Sequence, residues 1–87
     1  MAAALQIWSA TYSKAFDALP ASIREAVQSK IDDMGLRLAT FAHQRLSGRS
    51  ECKLRVGDYR ILYWIYPAKK LVRIYRIQHR SEAYRSL

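Results

Sequence analysis

The sequence contains one cysteine, Cys52, and two histidines among its 87 residues. A single cysteine cannot form an intramolecular disulfide, and one cysteine with two histidines is too few for a typical structural zinc site. The chain also lacks any run of about 18 to 20 apolar residues, which excludes an ordinary transmembrane helix. We therefore expect a fold that needs no cross-link, metal or cofactor, and a protein with no membrane partner.

Basic residues are missing from the apolar segment 1–5, where a secretory signal peptide would carry them, so we expect a cytoplasmic protein. Glycine and proline are scarce, at three and two residues, whereas 51% of the residues are hydrophobic and 25% are charged. This composition is typical of a globular chain rather than a disordered one. The length allows a single domain over residues 1–87.

Acidic residues are outnumbered, with 7 Asp and Glu against 15 Lys and Arg, which gives a formal net charge of +8. Residues 1–42 contain four residues of each sign, so the whole excess lies in residues 43–87. A cationic half of this kind attracts polyanions through its summed potential and through counterion release. It favours RNA, DNA, the ribosome or an acidic protein as partner, with a merely solubilising basic surface as the alternative.

The first element predicted from the sequence is a short strand. Residues 5–8 alternate between apolar and polar, which places Leu5 and Ile7 on one face. A short helix follows, and either Ser9 or Thr11 could cap its N-terminus. The N-terminal part of the chain therefore predicts a strand that leads directly into a helix.

A second, longer helix is predicted after Pro20, which ends the first one. Residues 22–25 have the S-x-x-E form of a capping box, so we expect the helix to begin at Ser22. Its apolar residues recur every three or four positions, and they are Ile23, Val27, Ile31, Met34 and Leu38. This stripe predicts one buried face and a hairpin of two helices.

The second half of the chain predicts a sheet. Residues 39–50 show no sustained period and are expected to be a connection, with His43 on the surface. Three strands joined by turns at 57–58 and 67–70 follow, and they cover residues 52–56, 59–66 and 71–78. We expect an α+β fold in which the helices cover one face of an antiparallel meander, leaving the other face free for Lys and Arg.

Three sequence blocks stand out in the second half of the chain, and they are RLSG at 45–48, LRVGDYRILY at 54–63 and QHRSEAY at 78–84. In their order and spacing, these blocks resemble the RelE/ParE family of small bacterial toxins. The fold that the resemblance implies is a short N-terminal strand, a two-helix hairpin and a curved antiparallel sheet, in the order β-α-α-β-β-β. This agrees with the elements expected from the residue pattern.

The resemblance implies a toxin with one of two targets. RelE-like members cleave messenger RNA in the ribosomal A site, and ParE-like members poison DNA gyrase. We favour a ribosome-dependent endoribonuclease, with a gyrase inhibitor or a degenerate antitoxin-binding member as the alternatives. Its partners would be a cognate antitoxin with an acidic or amphipathic segment, the ribosome and messenger RNA, or DNA gyrase in the second case. Attack by a ribose 2′-hydroxyl on the adjacent phosphate needs a base, positive charge and an acid, but no metal.

The resemblance also implies which residues would perform this chemistry. Arg60 matches the family arginine that holds the scissile phosphate or protonates its leaving group, a task that suits a guanidinium. Its alternative is an ion pair with Asp58 or Glu82. Lys53 matches a proposed base, and crowding by neighbouring arginines would favour the neutral form that a base must have. Its alternative is an ordinary solvated strand lysine.

Three further candidates lie towards the C-terminus. His79 could serve as acid or base near neutral pH, although a histidine at a strand end is more often structural. Arg80 is expected to contact phosphate. Tyr84 matches a family tyrosine that stacks on a base or assists proton transfer, and its alternative is a plug that packs the tail against the sheet. The remaining basic residues expected to contact RNA are Arg45, Arg49, Arg55, Arg76 and Arg85.

Some residues depart from the family pattern or have two interpretations. Glu51 stands where some relatives have a lysine, and Gln78 replaces the usual glycine before His79. Cys52 alternates onto the apolar face and is expected in the core. Trp64 shares strand parity with Arg60, so it could stack on a base or belong to a protein interface or the core.

Overall fold

The protein is described over residues 3–81 in a computed structural model. Two helices and five strands make up the fold: β1 Leu5–Trp8, α1 Ala10–Asp17, α2 Ala21–Leu36, β2 Gln44–Arg45, β3 Cys52–Val56, β4 Tyr59–Tyr66 and β5 Leu71–His79. A 3-10 turn, Pro67–Lys69, joins β4 to β5. Within residues 3–81, no helix has both the length and the apolar character that crossing a membrane would take.

The five strands form one sheet in the order β1-β5-β4-β3-β2. Neighbours from β2 to β5 are antiparallel, whereas β1 pairs with β5 in parallel. The predicted α+β fold is confirmed, with two differences from its β-α-α-β-β-β outline. The sheet is mixed, since β1 runs parallel to β5, and the segment 39–50 contains the additional two-residue strand β2.

The core lies between the helices and one face of the sheet. The predicted apolar stripe of α2 is confirmed at Val27, Ile31 and Met34, which have no exposed surface, whereas Leu38 is buried but lies beyond the end of the helix. Cys52 is fully buried as expected, and burial raises the pKa of its thiol. The sheet residues of this core are Cys52, Leu54, Val56, Ile61, Tyr63, Val72, Ile74 and Ile77. The core therefore uses alternate positions of β3, β4 and β5 and leaves the intervening positions for another role.

The N-terminus of α1 has one of its predicted caps, whereas the N-terminus of α2 differs from the prediction. The Ser9 hydroxyl accepts a hydrogen bond from the first turn of α1 at 3.0 Å, which confirms one of the two expected caps. The prediction of a capping box at Ser22 is wrong, because Pro20, two residues earlier, occupies the N-cap position and forms no side-chain bond there. Arg24 donates instead to two carbonyls at the end of α1, at 3.0 and 3.3 Å.

His43 holds the segment between α2 and β3 in place. Its Nδ1 lies 2.8 Å from the Tyr63 hydroxyl, and its Nε2 lies 2.8 Å from the Leu38 carbonyl oxygen. The expectation of a surface histidine is wrong, because the ring satisfies a buried hydroxyl and a carbonyl that would otherwise lack a partner. His43 thereby ties the end of the helical layer to the centre of the sheet.

Tyr12 offers a test of the core energetics. Its side chain is fully buried against Trp8 and Phe16, and its hydroxyl has no hydrogen-bond partner among residues 3–81. A buried hydroxyl without a partner costs about 1–3 kcal/mol. We therefore expect Tyr12→Phe to raise the free energy of unfolding by about 1 kcal/mol, measured by urea denaturation at neutral pH.

The advantage of Tyr12→Phe should grow in alkaline solution. Burial raises the pKa of Tyr12 above its ordinary value, whereas in the unfolded chain the phenol ionises near pH ~10. The folded state therefore binds the proton more tightly, and wild-type stability falls as pH rises above about 10. If Tyr12→Phe is less stable than the wild type at neutral pH and also in alkaline solution, the Tyr12 hydroxyl has a hydrogen-bond partner and the account is wrong.

Candidate functional site

The positions left out of the core point to the face of the sheet away from the helices, here called the open face. On β3 these positions are Lys53 and Arg55, and on β4 they begin with Arg60. The strand register sets Arg55 directly opposite Arg60, and Gln78 of β5 lies opposite Arg60 on its other side. The antiparallel pairing of β3, β4 and β5 thus brings residues far apart in sequence into one row.

A cleft of about 220 Å³ lies at this end of the open face. Pockets that enclose small molecules usually measure roughly 300–1,000 Å³, so this one fits part of a larger ligand better than a whole small one. We call it the basic cleft. Its lining residues are Gln44, Lys53, Arg55, Asp58, Tyr59, Arg60 and Arg80. Four of these seven residues are cationic, which suits a phosphodiester.

Arg60 is held firmly but incompletely satisfied. Its terminal nitrogen donates to Gln78 Oε1 at 2.9 Å, while its Nε is buried without a hydrogen-bond partner in the described part of the chain. The expected alternative, an ion pair with Asp58, is not formed, because Asp58 approaches Arg80 at 3.8 Å. Glu82, the other alternative partner, lies outside the described residues. Of the five N–H donors of its guanidinium, only one has a partner among the described residues, so the terminal N–H groups keep donor capacity for a ligand in the cleft.

The charges of the basic cleft are poorly compensated. Arg55 and Arg60 lie directly opposite each other on the adjacent strands β3 and β4, and like charges in this position destabilise a sheet. Within residues 3–81, no carboxylate oxygen lies within 4.0 Å of the charged nitrogens of Lys53, Arg55 or Arg60. An anion placed between these cations would relieve their repulsion and supply the missing hydrogen bonds. The arrangement is thus suited to bind phosphate.

The predicted catalytic residues divide into three groups. Lys53, Arg60 and Arg80 line the basic cleft together. His79 does not, since its ring packs edge-on against Tyr59 and its Nδ1 accepts from the backbone N–H of Ser81 at 3.2 Å. Tyr84 lies outside the described residues. Three of the five candidates are therefore brought to one place.

The arginines expected to contact RNA are more scattered. Arg55 lines the basic cleft, and the exposed Arg76 lies on β5 opposite Leu62. Arg45 pairs with Cys52, whose side chain belongs to the core face. The exposed Arg49 forms an ion pair with Glu51 at 3.3 Å. Arg85 lies outside the described residues.

Four residues of the site were not anticipated as site residues. Gln44, Asp58 and Tyr59 line the basic cleft, and Gln78 positions Arg60. Gln44 enters through the additional strand β2, which no local pattern predicts. Gln78 could have been found from the pairing of β4 with β5, because it lies directly across from Arg60 and is a buried polar residue.

The fold and the basic cleft define a small α+β protein with uncompensated cations on the open face of its sheet. Residues 7–84 match the family model described as ParE toxin of the type II toxin–antitoxin system parDE. The chain therefore belongs to the RelE/ParE family, and it is a toxin of a type II toxin–antitoxin system. No curated protein sequence matches it closely enough to count as a relative.

Solved structures support the same assignment. The chain is similar to the RelBE2 toxin–antitoxin complex of Mycobacterium tuberculosis, at 26% identity and a TM-score of 0.72, over 93% of this chain and 95% of that one. It resembles the isolated Escherichia coli RelE toxin at 21% identity and a TM-score of 0.76, over 97% and 94% of the two chains. The RelE–RelB complex of Pyrococcus horikoshii gives 20% identity and a TM-score of 0.75, over 91% and 97%. The last two likenesses establish the fold.

Proposed function

We propose that this toxin is a ribosome-dependent messenger RNA endoribonuclease that acts in the cytoplasm and inhibits translation. The observation that supports it most is the cluster of three cations on the open face, Lys53, Arg55 and Arg60, without a carboxylate partner in the described part of the chain. A cluster of cations that repel one another is costly unless a phosphate lies among them. A protein that only had to be soluble would not need to concentrate its charge there.

The proposed reaction is attack by a ribose 2′-hydroxyl on the adjacent phosphorus, which breaks the bond to the 5′-oxygen of the next nucleotide. Lys53 accepts the hydroxyl proton, and the guanidinium groups of Arg55 and Arg60 stabilise the negative charge that develops on the phosphorane. Arg80, at the rim of the cleft, holds the neighbouring phosphate. Tyr84 donates the proton to the leaving oxygen, and His79, which does not line the cleft, is the alternative donor.

We also propose that a cognate antitoxin neutralises the toxin by covering the basic cleft or displacing the C-terminal tail. The solved complexes similar to this chain pair RelE toxins with RelB antitoxins. An excess of +8 confined to one half of the chain favours an acidic or amphipathic antitoxin segment that folds as it binds. Such a segment would compete with messenger RNA for the same cations.

Inhibition of DNA gyrase is the second candidate function. The match of residues 7–84 to the ParE toxin family model favours it, because the ParE-like branch acts on gyrase. In that case the basic cleft would contribute charge to a protein or DNA interface and would perform no chemistry. A degenerate member that only binds its antitoxin would show neither activity.

A purified translation reaction and a separate gyrase supercoiling assay together distinguish these functions. Under the first, adding the toxin shortens a defined message only when ribosomes are translating it, and gyrase supercoiling proceeds normally. Under the second, the message stays intact and supercoiling stops. A folded toxin that affects neither reaction would contradict both and leave the antitoxin-binding alternative.

A further inference from the structure

An aromatic pair stands on the open face beside the basic cleft. The rings of Trp64 and Tyr75 are stacked, with centroids 4.4 Å apart and planes inclined by 26°. Both side chains are half-buried, and neither belongs to the hydrophobic core under the helices. The pair is therefore a small aromatic stack at the protein boundary, which a further planar ring could extend.

A β-bulge positions Tyr75. Leu62 pairs with Arg76 and Tyr63 pairs with Ile74, so Tyr75 has no partner of its own in β4. Bulges of this kind redirect side chains and occur often next to active sites. Here the bulge allows the Tyr75 ring to lie against Trp64.

The Tyr75 hydroxyl is also anchored. It donates to Glu51 Oε2 at 3.4 Å, and the same oxygen accepts from Arg49 at 3.3 Å. Burial and the charge of Glu51 raise the pKa of Tyr75, so the phenol keeps its proton at neutral pH. The ring is thus held by packing on one side and by a charged acceptor at its tip.

Exposed cations flank the aromatic pair on β5. Arg73 lies directly opposite Trp64, and Arg76 lies opposite Leu62, between the pair and Arg60. Arg60 and Trp64 are four residues apart on β4, which corresponds to about 13 Å along the strand. This distance exceeds the length of one nucleotide, so a single strand with its phosphate at Arg60 would reach Trp64 with a nucleotide further along the strand, not with the adjacent one.

We propose that Trp64 and Tyr75 form a stacking platform for a base of single-stranded RNA that continues from the basic cleft across the open face. The proposal rests on the proposed nuclease function and adds a second contact with its substrate. Stacking on aromatic rings with a cationic track for the backbone is how proteins bind single strands without reading their sequence. The platform therefore adds affinity for messages of any sequence.

The experiment uses a single-stranded 2′-O-methyl oligonucleotide, which has no free 2′-hydroxyl and so cannot be cleaved. In a Trp8→Phe background, Trp64 is the only tryptophan, and we expect the oligonucleotide to quench its fluorescence. By anisotropy, Trp64→Ala should weaken binding about tenfold, and Trp64→Phe should retain most of the affinity because it keeps an aromatic ring. Arg76→Gln should lower the slope of log affinity against log salt by about 0.7.

Tyr66→Ala is the matched control, because Tyr66 lies two residues further along β4 and is exposed but is not part of the stack. An equal loss of affinity in Tyr66→Ala, or none in Trp64→Ala, would overturn the platform. Quenching of Trp64 by an acidic peptide but not by the oligonucleotide would assign the surface to a protein and overturn it as well. Because the oligonucleotide is not cleaved, these outcomes are independent of whether the wild type cuts messages.

Discussion

Arg60→Ala is expected to lower message cleavage on translating ribosomes by at least about 10²- to 10³-fold, the usual loss when one donor to a developing charge is removed. Arg60 is the cation whose Nε remains without a partner among the described residues, and Gln78 fixes its orientation. The melting temperature should change little, because the substitution removes repulsion from Arg55 along with the bond to Gln78. The measurements are the rate of message cleavage and a thermal melt of the same preparation.

Arg37→Ala is the matched control for Arg60→Ala. Arg37 follows the last residue of α2, is exposed and pairs with Asp33 at 2.6 Å, so its loss changes the net charge equally at a distant place. This control should cleave messages at the wild-type rate. Full cleavage by a folded Arg60→Ala protein would remove Arg60 from the mechanism, and an equal loss in both variants would attribute the effect to overall charge.

Lys53→Ala is expected to lower the cleavage rate by about 10²- to 10⁴-fold, the range in which a positioned general base contributes. Lys53→Arg should fail to restore the rate, because a guanidinium keeps the positive charge but stays protonated and cannot accept a proton. Single-turnover cleavage rates of the three proteins on ribosomes, at saturating toxin, provide the comparison.

Recovery in Lys53→Arg would contradict the role of Lys53 as a base. The residue would then supply only charge to the phosphate, as Arg55 does from the next open-face position of β3. A rate that falls in Lys53→Ala but stays at the wild-type value in Lys53→Arg is thus the result that separates the two roles. A thermal melt would verify that both variants are folded.

Much of the fold follows from local sequence pattern. The α2 stripe and the strands β3, β4 and β5 were predictable, because periodicities near 3.6 and 2 report which face of an element is buried. The position of β1 was not predictable in this way. Leu5 and Ile7 do share a face, but that face is 63% and 44% exposed at those residues, because β1 is an edge strand whose apolar side chains lie away from the helices.

Two features escaped the sequence analysis, one local and one that depends on a tertiary contact. The Ser22 capping box competes with Pro20, whose fixed φ and free carbonyl place the N-cap two residues earlier. The role of His43 depends on Tyr63, twenty residues away, and nothing near His43 in the sequence indicates a buried partner.

The candidate site was predictable where the family resemblance supplied it. Lys53, Arg60 and Arg80 do meet in the basic cleft, whereas alternation within a strand could place them only on a face. Gln78 and Tyr75 required the register of β4 against β5, which the bulge between Leu62 and Tyr63 shifts by one residue. A bulge changes side-chain placement without an apparent mark in the residue pattern.

Mapping the cut on a ribosome-bound message tests the central claim most directly. Ribosomes carrying a defined codon in the A site are incubated with the wild type or with Arg60→Ala, and reverse transcription locates any new 5′ end, with naked message in parallel. The account predicts a cut within the A-site codon for the wild type, and none for Arg60→Ala or for naked message. An intact message in the presence of folded wild-type toxin, together with arrest of gyrase supercoiling, would contradict it.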